Sequence, residues 1–192
     1  MATAPLEGMR VAILVSDGFD ESELLQPKWA LEHAGAATFV ISPVQDKVKG
    51  WTQRHGEKQV PVDIPLSKAK PEDFHALLLP GSAMNPMSSH TNAQEIRFVK
   101  HFVDTGKPIA AIGDGSKLMP ETGALRGRSV TSDPALKFDV EKAGAKWVDT
   151  AVVRDGTLLT SRKPEDLPAF NDEMIQLFSE IREHWTQMRK FY

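Results

Sequence analysis

A four-residue apolar run followed by a glycine-rich turn is the feature that most constrains how this chain folds. Residues Ile109 to Ile112 are wholly apolar, and Gly113-Asp114-Gly115 follows directly. Such a run, bounded by turn signals, is typical of a strand buried on both faces of a parallel sheet. We predict that a helix begins at about Ser116. A strand, a tight turn and a helix in this order predict a functional site outside the carboxyl end of a central strand.

Strand and helix patterns alternate along the rest of the chain. Predicted strands at residues 10–16 and 37–42 flank a predicted helix at 21–34, which is the pattern of a parallel crossover unit. The alternation predicts one domain over residues 1–192, a flavodoxin-like three-layer α/β/α sandwich with a mostly parallel sheet. The later patterns predict, in chain order, a loop with a short hairpin, a strand, a turn-rich loop, two helices, a hairpin and a closing helix, at residues 43–63, 75–79, 84–90, 92–105, 134–143, 151–162 and 167–190.

The composition excludes several classes of function. The chain has 192 residues, no cysteine and a net charge of −3. The absence of cysteine excludes disulfides, thiol catalysis and thiolate metal sites, and it fits a reducing cytosol. The sequence has no cluster of Lys and Arg of the kind that would predict nucleic-acid binding. No stretch reaches the roughly 18–20 apolar residues of a membrane helix. Residues 1–9 lack the apolar core of a signal peptide, so we expect a cytoplasmic protein.

Acidic residues follow two of the predicted strands. They are Asp17, Asp20, Glu21 and Glu23 after the first strand, and Asp114 after the central strand. Three interpretations stay open: Asp114 caps the following helix between two permissive glycines, or it forms an acid–base pair with Asp20, or the two carboxylates bind a hard divalent cation. In the first interpretation, the acidic side chains in the first turn of the first helix interact favourably with the positive N-terminal end of that helix. The spacing matches no calcium-loop pattern, so we predict no metal site.

Other catalytic patterns are absent from the sequence. Ser82, Ser116 and Ser132 lie near predicted strand ends, yet none stands in a Gly-x-Ser-x-Gly turn, and the histidines are scattered. The turn at Gly113 lacks the glycine spacing and the Lys-Ser/Thr pair of a phosphate loop. Of the histidines, only His90 lies in a loop next to a predicted strand end. No motif indicates a cofactor, and we expect none.

Six runs together carry a family pattern. They lie at residues 11–24, 76–81, 106–112, 125–128, 143–149 and 160–170, and the last reads Thr160-Ser-Arg-Lys-Pro-Glu-Asp-Leu-Pro-Ala-Phe. On these runs the chain resembles the ThiJ/PfpI family of the DJ-one superfamily, in its intracellular-protease-I branch, over nearly its whole length. The resemblance implies a fold of the class I glutamine amidotransferase type, homo-oligomers (dimers or higher), a cytoplasmic role in stress response, and protease, glyoxalase or deglycase activity with a small carbonyl ligand.

The residue at the catalytic turn is where this chain departs from the family. The family places Cys-His-Gly there, and this chain has Gly113-Asp114-Gly115, so Gly113 replaces the nucleophile. A thiolate attacks carbonyl groups because it is nucleophilic at neutral pH, and glycine has no side chain to attack with. The resemblance therefore predicts that cysteine-dependent activity is lost. The fold need not suffer, because glycine removes a backbone strain of about 1–3 kcal/mol that other residues carry at such a turn.

The surroundings of the turn have changed as well. The family's glutamate beside the thiol aligns with Asp20, and its Pro-Gly-Gly loop aligns with Pro80-Gly81-Ser82. The resemblance assigns oxyanion-type backbone amides to Gly81, Ser82 and Asp114. In the family an aromatic residue usually precedes the proline that aligns with Pro134, and this chain has Asp133 in that place.

The sequence leaves two functions open. In the first, the protein is a pseudoenzyme that acts as a binding or chaperone-like module. In the second, it is a hydrolase or glyoxalase-type enzyme whose rebuilt site uses the carboxylates of Asp20 and Asp114. An apolar stripe near the C-terminus packs either on a neighbouring subunit or on its own domain, and its members are Ile181, Trp185, Met188, Phe191 and Tyr192.

Overall fold

A mostly parallel seven-stranded sheet forms the centre of the structure. The computed structural model describes residues 4–52, 56–83 and 92–188. Its strands are β1 (Arg10–Leu14), β2 (Phe19–Asp20), β3 (Ala37–Ser42), β4 (Lys47–Thr52), β5 (Gly56–Pro61), β6 (Ile64–Pro65), β7 (Ala76–Leu79), β8 (Ile109–Ile112), β9 (Ser129–Val130), β10 (Lys146–Trp147), β11 (Val152–Asp155) and β12 (Leu158–Ser161). The central order is β11-β12-β8-β7-β1-β3-β6, with β11 antiparallel to its neighbour and the other pairs parallel. β9 pairs with β10, and β2, β4 and β5 form a small separate sheet.

Helices connect these strands. Those of the described residues are α1 (Glu21–His33), α2 (Ala93–Asp104), α3 (Lys137–Lys142) and α4 (Leu167–Met188). α2 begins at a capping box, in which Asn92 accepts hydrogen bonds from the amides of Gln94 and Glu95 while Glu95 accepts one from the Asn92 amide. Such reciprocal bonds satisfy amides that the start of a helix leaves unpaired, which explains why α2 starts here.

The central sheet is buried on both faces, and this explains its wholly apolar strands. Successive side chains of a strand point to opposite faces. In β1, Val11 and Ile13 belong to a core that also contains residues of α1 and α4. Ala12 and Leu14 belong to a second core, shared with α2 and α3. Helices therefore cover both faces of the sheet, and the predicted α/β sandwich with a mostly parallel sheet is confirmed.

The clearest difference from the predicted elements lies after the central strand. β3 and β8 have their predicted bounds, and both predicted hairpins are present as the antiparallel pairs β4–β5 and β11–β12. The α-helix predicted from Ser116 is wrong, because two 3-10 segments, Gly113–Leu118 and Pro120–Thr122, occupy this stretch. Pro120 lacks the backbone N–H that an α-helix beginning at Ser116 would need to bond back to that residue. The loop predicted at residues 84–90 lies outside the described residues.

The C-terminal helix packs mainly on its own domain. Ile181 and Trp185 are partly buried against the core of α1 and α4, which favours the second interpretation of the predicted stripe for these two residues. Met188 remains 52% exposed. Phe191 and Tyr192 lie outside the described residues. Although α4 is long, neither it nor any other described helix combines the length and the apolar character needed to cross a membrane.

Candidate functional site

The candidate site lies where three neighbouring parallel strands end. β1 pairs with β7, and β7 pairs with β8, all in parallel, so their carboxyl ends meet at one edge of the sheet. The turn before α1, the loop Pro80-Gly81-Ser82 and the turn at Gly113 leave from these ends. The Asp20 amide donates to the Gly81 carbonyl at 2.9 Å, and Phe19 forms an isolated bridge with Ser82. The structure therefore brings together the strand ends that the sequence predicts.

Glu23, in the first turn of α1, faces Gly113. The backbone of Gly113 is left-handed, with φ of +60°, a conformation that side chains rarely adopt. A Cβ added to Gly113 would lie 2.9 and 3.0 Å from the two carboxyl oxygens of Glu23. The carboxyl group beside the turn therefore belongs to Glu23. The alignment of Asp20 with this position is corrected, because the buried face of α1 presents Glu23 to the turn.

Asp20 caps α1. Its Oδ1 accepts hydrogen bonds from the amides of Ser22 at 2.8 Å and Glu23 at 3.1 Å, and from the Ser22 hydroxyl at 2.5 Å. These bonds satisfy two amides that the start of the helix would leave unpaired. Asp20 thus stabilises the start of its own helix, and the catalytic role assigned to it from the sequence stays a prediction.

Asp114 holds the neighbouring loop. Its side chain is buried; Oδ1 accepts from the Ser82 amide and Oδ2 from the Ser82 hydroxyl, each at 2.5 Å. Lys117 Nζ lies 3.4 Å from Oδ2. The N-cap position of the following 3-10 segment is Ile112. The interpretation of Asp114 as a helix cap is therefore wrong, because its carboxylate turns across the sheet edge to the loop after β7.

Both amides of the Gly81–Ser82 pair are hydrogen-bonded to carboxyl groups of this chain. The Gly81 amide donates to Oε2 of Glu23 at 2.8 Å, and the Ser82 amide donates to Oδ1 of Asp114. An oxyanion hole requires donors that point at the oxygen where negative charge develops. Here each of the two amides already has an acceptor, so a substrate oxygen would have to displace a buried carboxyl group to reach it.

The carboxyl group of Glu23 is strongly perturbed. Burial, followed by the negative charge of Asp20, raises the pKa of Glu23 from 4.5 to about 8, and the hydrogen bond from Gly81 opposes this rise. The charges of Asp114 and Asp133 raise the pKa further. At neutral pH the Glu23 carboxyl is therefore mostly protonated, which reduces the repulsion among the four acidic groups.

Asp133 belongs to the same acidic surroundings. Its amide donates to the Gly113 carbonyl at 3.1 Å, and its side chain accepts from the Ala135 amide at 2.8 Å. Across residues 4–52, 56–83 and 92–188, no group of three or more His, Asp or Glu side chains is arranged to hold a metal ion. The absence of a metal site stays a prediction, and His90 lies outside the described residues.

Comparison with known proteins decides the family. A model of the DJ-1/PfpI family matches residues 9–177. The chain belongs to the DJ-1/PfpI family. Within that family it is 36% identical over 169 residues to a deglycase of Thermococcus kodakarensis, a match that covers 88% of this chain and 99% of that relative. The resemblance predicted from the sequence is thus confirmed, and this DJ-1/PfpI member has no cysteine at the catalytic turn or elsewhere.

Solved structures share the fold of this DJ-1/PfpI member. A ThiJ/PfpI domain protein of Brachyspira murdochii superposes with a TM-score of 0.80 at 21% identity, covering 91% of this chain and 98% of the other. A two-domain protein of Anabaena variabilis, with DJ-1/ThiJ/PfpI-like and ferritin-like domains, gives a TM-score of 0.79 at 32% identity. That match covers 88% of this chain, which spans about half (47%) of the two-domain protein.

Sequence reasoning did not single out Glu23 or the bonds made by Ser82. A signal for Glu23 was present, because Pro27 and Ala30 follow it at helical spacing on the buried face of α1. An ionisable residue on a buried stripe needs a partner, and the partner is the Gly81 amide. No comparable signal pointed to Ser82, since its bonds to Asp114 depend on how β7 and β8 are placed side by side.

Proposed function

We propose that this protein is a pseudoenzyme of the DJ-1/PfpI family that works as a binding or chaperone-like module in the cytoplasmic stress response. One observation supports this proposal above the others. Two of the three backbone amides that the family resemblance assigns to an oxyanion hole, those of Gly81 and Ser82, donate to Glu23 and Asp114 of the same chain. Gly113, which has no side chain to act as a nucleophile, lies beside the carboxyl group of Glu23.

The two changes support each other. Acyl-transfer and carbonyl chemistry need a group that attacks and donors that stabilise the resulting oxyanion. Gly113 provides no attacking group, so the first requirement is not met. The carboxyl groups of Glu23 and Asp114 occupy donors that the second requirement needs. The scaffold that carries them is nonetheless intact, with a fully formed sheet and two helical layers. A preserved scaffold whose catalytic groups are missing or occupied supports a binding role over catalysis.

Two assays on the wild-type protein test this proposal. The first measures turnover of methylglyoxal and of a glycated amine, the latter because the Thermococcus kodakarensis relative is named a deglycase. The second measures light scattering of a heat-unfolded client protein with and without the chain. We expect no turnover above the uncatalysed rate and suppressed aggregation. Turnover would contradict the pseudoenzyme, and unsuppressed aggregation would contradict the chaperone-like role.

A second candidate is an acid–base enzyme, and the raised pKa of Glu23 is the observation that favours it. Carboxyl groups with separated pKa values commonly serve as acid and base. With Glu23 protonated to about pH 8 and Asp114 nearby, Glu23 replaces Asp20 as the partner of Asp114 in this alternative. If turnover is found, Glu23→Gln and Asp114→Asn should each lower it roughly 100-fold. Asp20→Asn should change turnover much less, through the effect of the Asp20 charge on the pKa of Glu23.

A further inference from the structure

The end of α4 and the N-terminal segment enclose a groove that lies almost wholly outside the family match. The family model matches residues 9–177, so residues 178–188 of α4 lie beyond it. A groove of about 600 Å³ lies between this end of α4 and residues 7–9, and of its lining only Met9 falls within the match. Met9 directly precedes β1, whereas the candidate site lies past the other end of that strand. The groove is therefore separate from the candidate site.

The apolar walls of the groove are held in place on both sides. Met9 is buried, and its carbonyl accepts a hydrogen bond from the Ala37 amide at 2.8 Å. On the other side, the Trp185 ring packs on the His75 ring, with 5.8 Å between the ring centroids. Met188, in the last turn of α4, lines the groove and is 52% exposed. Methionine and tryptophan provide an adaptable, polarisable apolar surface, so these walls suit a flexible apolar chain.

Arg182 adds a positive charge to the same groove. Its Nε donates to the Glu7 carbonyl at 2.8 Å, and its Nη1 donates to the Pro5 carbonyl at 3.3 Å. A guanidinium has five N–H donors, so these two bonds leave three. In the part of the chain that the structure describes, no carboxylate oxygen lies within 4.0 Å of this guanidinium. The exposed side chain of Glu7 is the one acid, and His184 a second base, in the described lining.

We propose that this groove binds a free amphiphilic carboxylate, a small molecule with one carboxylate group and an unbranched apolar chain. The carboxylate accepts from the guanidinium of Arg182, whose planar fork matches it, and the chain packs on Trp185 and Met188. The volume lies in the range of small-molecule sites. Glu7 in the same wall disfavours a doubly charged phosphate. Such binding does not depend on whether the candidate site is catalytic.

Isothermal titration calorimetry with three ligands of equal chain length, each below its micelle-forming concentration, tests the groove. Decanoate should bind once per chain. Decanol should bind at least about tenfold more weakly, because it lacks the charge that strengthens a hydrogen bond to Arg182, and decylamine should bind more weakly still. If decanoate does not bind the wild type, or decanol binds as tightly, the proposal is wrong. Binding seen only after removal of residues 189–192 would assign the groove to the chain's own end and would also overturn it.

A charge placed in the apolar wall tests where the chain of the ligand lies. Met188→Glu removes an apolar contact and adds a negative charge, so it should weaken decanoate binding at least about tenfold. The fold should tolerate this change, because Met188 is half exposed. Phe138→Glu is the matched control, since Phe138 is 72% exposed on α3 and does not line the groove. Its affinity should equal that of the wild type. Unchanged binding by Met188→Glu would overturn the proposal.

The role of Arg182 is tested with both decanoate and decanol. Arg182→Gln should lower the affinity for decanoate to that for decanol, and it should leave the affinity for decanol within about twofold of wild type. A groove damaged by the substitution would lose both ligands, so the comparison separates binding of the carboxylate from a structural role of Arg182. Unchanged decanoate binding, or equal losses for the two ligands, would overturn the assignment of the carboxylate to Arg182.

Discussion

Two surfaces of α1 differ in how their interactions are satisfied. At the candidate site, the inner face of the helix places Glu23 against Gly81 and Gly113, and every contact described there stays within the chain. On the outer face, Trp29 is exposed and lines an apolar groove between α1 and α4. The family's chemistry would belong to the inner face. In this chain the inner face is closed by its own carboxyl groups, while the outer face is open.

Under the proposed function, this scaffold has lost its chemistry at one surface and keeps a binding role at another. With Gly113 in place of the family's nucleophile, the backbone amides of Gly81 and Ser82 have no nearby reaction to stabilise. Buried amides need acceptors, and Glu23 and Asp114 supply them. Binding through the outer face requires neither the nucleophile nor those donors. The predictions below therefore test whether the inner face is as closed as its hydrogen bonds indicate.

The largest expected effect is a fall in stability with rising pH that depends on Glu23. Its pKa rises from 4.5 to about 8 on folding, so the folded state binds a proton more readily between these values. Stability from this group is fully present below pH 4.5 and is lost progressively as the pH rises through 8, by on the order of 5 kcal/mol in total. Urea unfolding at pH 5 and pH 9 measures the change. Glu23→Gln keeps an acceptor for Gly81 without the charge. The decrease in its free energy of unfolding between pH 5 and pH 9 should therefore be smaller than that of the wild type by this amount. Equal decreases in the two proteins would contradict the role assigned to Glu23.

Reopening the inner face should restore chemistry only when both blocks are removed. Gly113→Cys alone supplies a thiol but leaves the Ser82 amide bonded to Asp114. Adding Asp114→His frees that amide, and one freed oxyanion donor is worth roughly 100-fold in turnover. We expect methylglyoxal turnover by the double variant to exceed that of Gly113→Cys by about this factor. Full activity of Gly113→Cys alone would show that Asp114 does not block the site.

The left-handed backbone at Gly113 predicts a cost for any side chain there. Gly113→Ala should lower the free energy of unfolding by roughly 2–3 kcal/mol, because the new Cβ is strained and lies 2.9 Å from Glu23. Gly156→Ala is the matched control, since Gly156 also has φ of +60° and its added Cβ would meet only Arg128 Nη1, at 3.5 Å. It should cost about 1 kcal/mol. Equal losses in urea unfolding would mean that Glu23 does not crowd the turn.

The smallest effect concerns Asp20 as a helix cap. Asp20→Ala should lower the free energy of unfolding by about 1 kcal/mol, whereas Asp20→Asn retains a capping oxygen and should stay within roughly 0.5 kcal/mol of wild type. Thermal melts at pH 5, well below the Glu23 pKa of about 8 in the wild type, compare the two. A loss with Asp20→Asn as large as that with Asp20→Ala would indicate that the charge of Asp20, rather than its cap, matters.

The fold was largely predictable because local patterns determine it. The apolar run of β8 and the alternating strand and helix signals each specify an element without reference to distant residues. The candidate site was predictable only in outline. Glu23 and Asp20 stand three residues apart in one acidic run, and sequence order alone does not say which of them faces Gly113. The rotation of α1 on the sheet decides it, and that rotation follows from packing of the whole core.

The hydrogen bonds of Asp114 were harder still to predict from the sequence, because they depend on the tertiary arrangement of distant residues. Aspartate is a residue type that commonly caps helices, yet the carboxylate of Asp114 bonds to Ser82, 32 residues earlier in the chain. The helix predicted after it is also replaced by 3-10 turns around Pro120. The bond to Ser82 follows from the pairing of β7 with β8, which sets the two loops side by side.

The hydrogen bond between Glu23 and the Gly81 amide is the most direct test of a closed inner face. Its state can be followed by the ¹⁵N–¹H chemical shift of the Gly81 amide as a function of pH. Because the Gly81 amide donates to Glu23, its shift should titrate with a midpoint near pH 8, the pKa of Glu23, and should stay flat over the same range in Glu23→Gln. A Gly81 amide that does not titrate in the wild type, or that titrates equally in Glu23→Gln, would contradict the central claim that this carboxyl group occupies the loop.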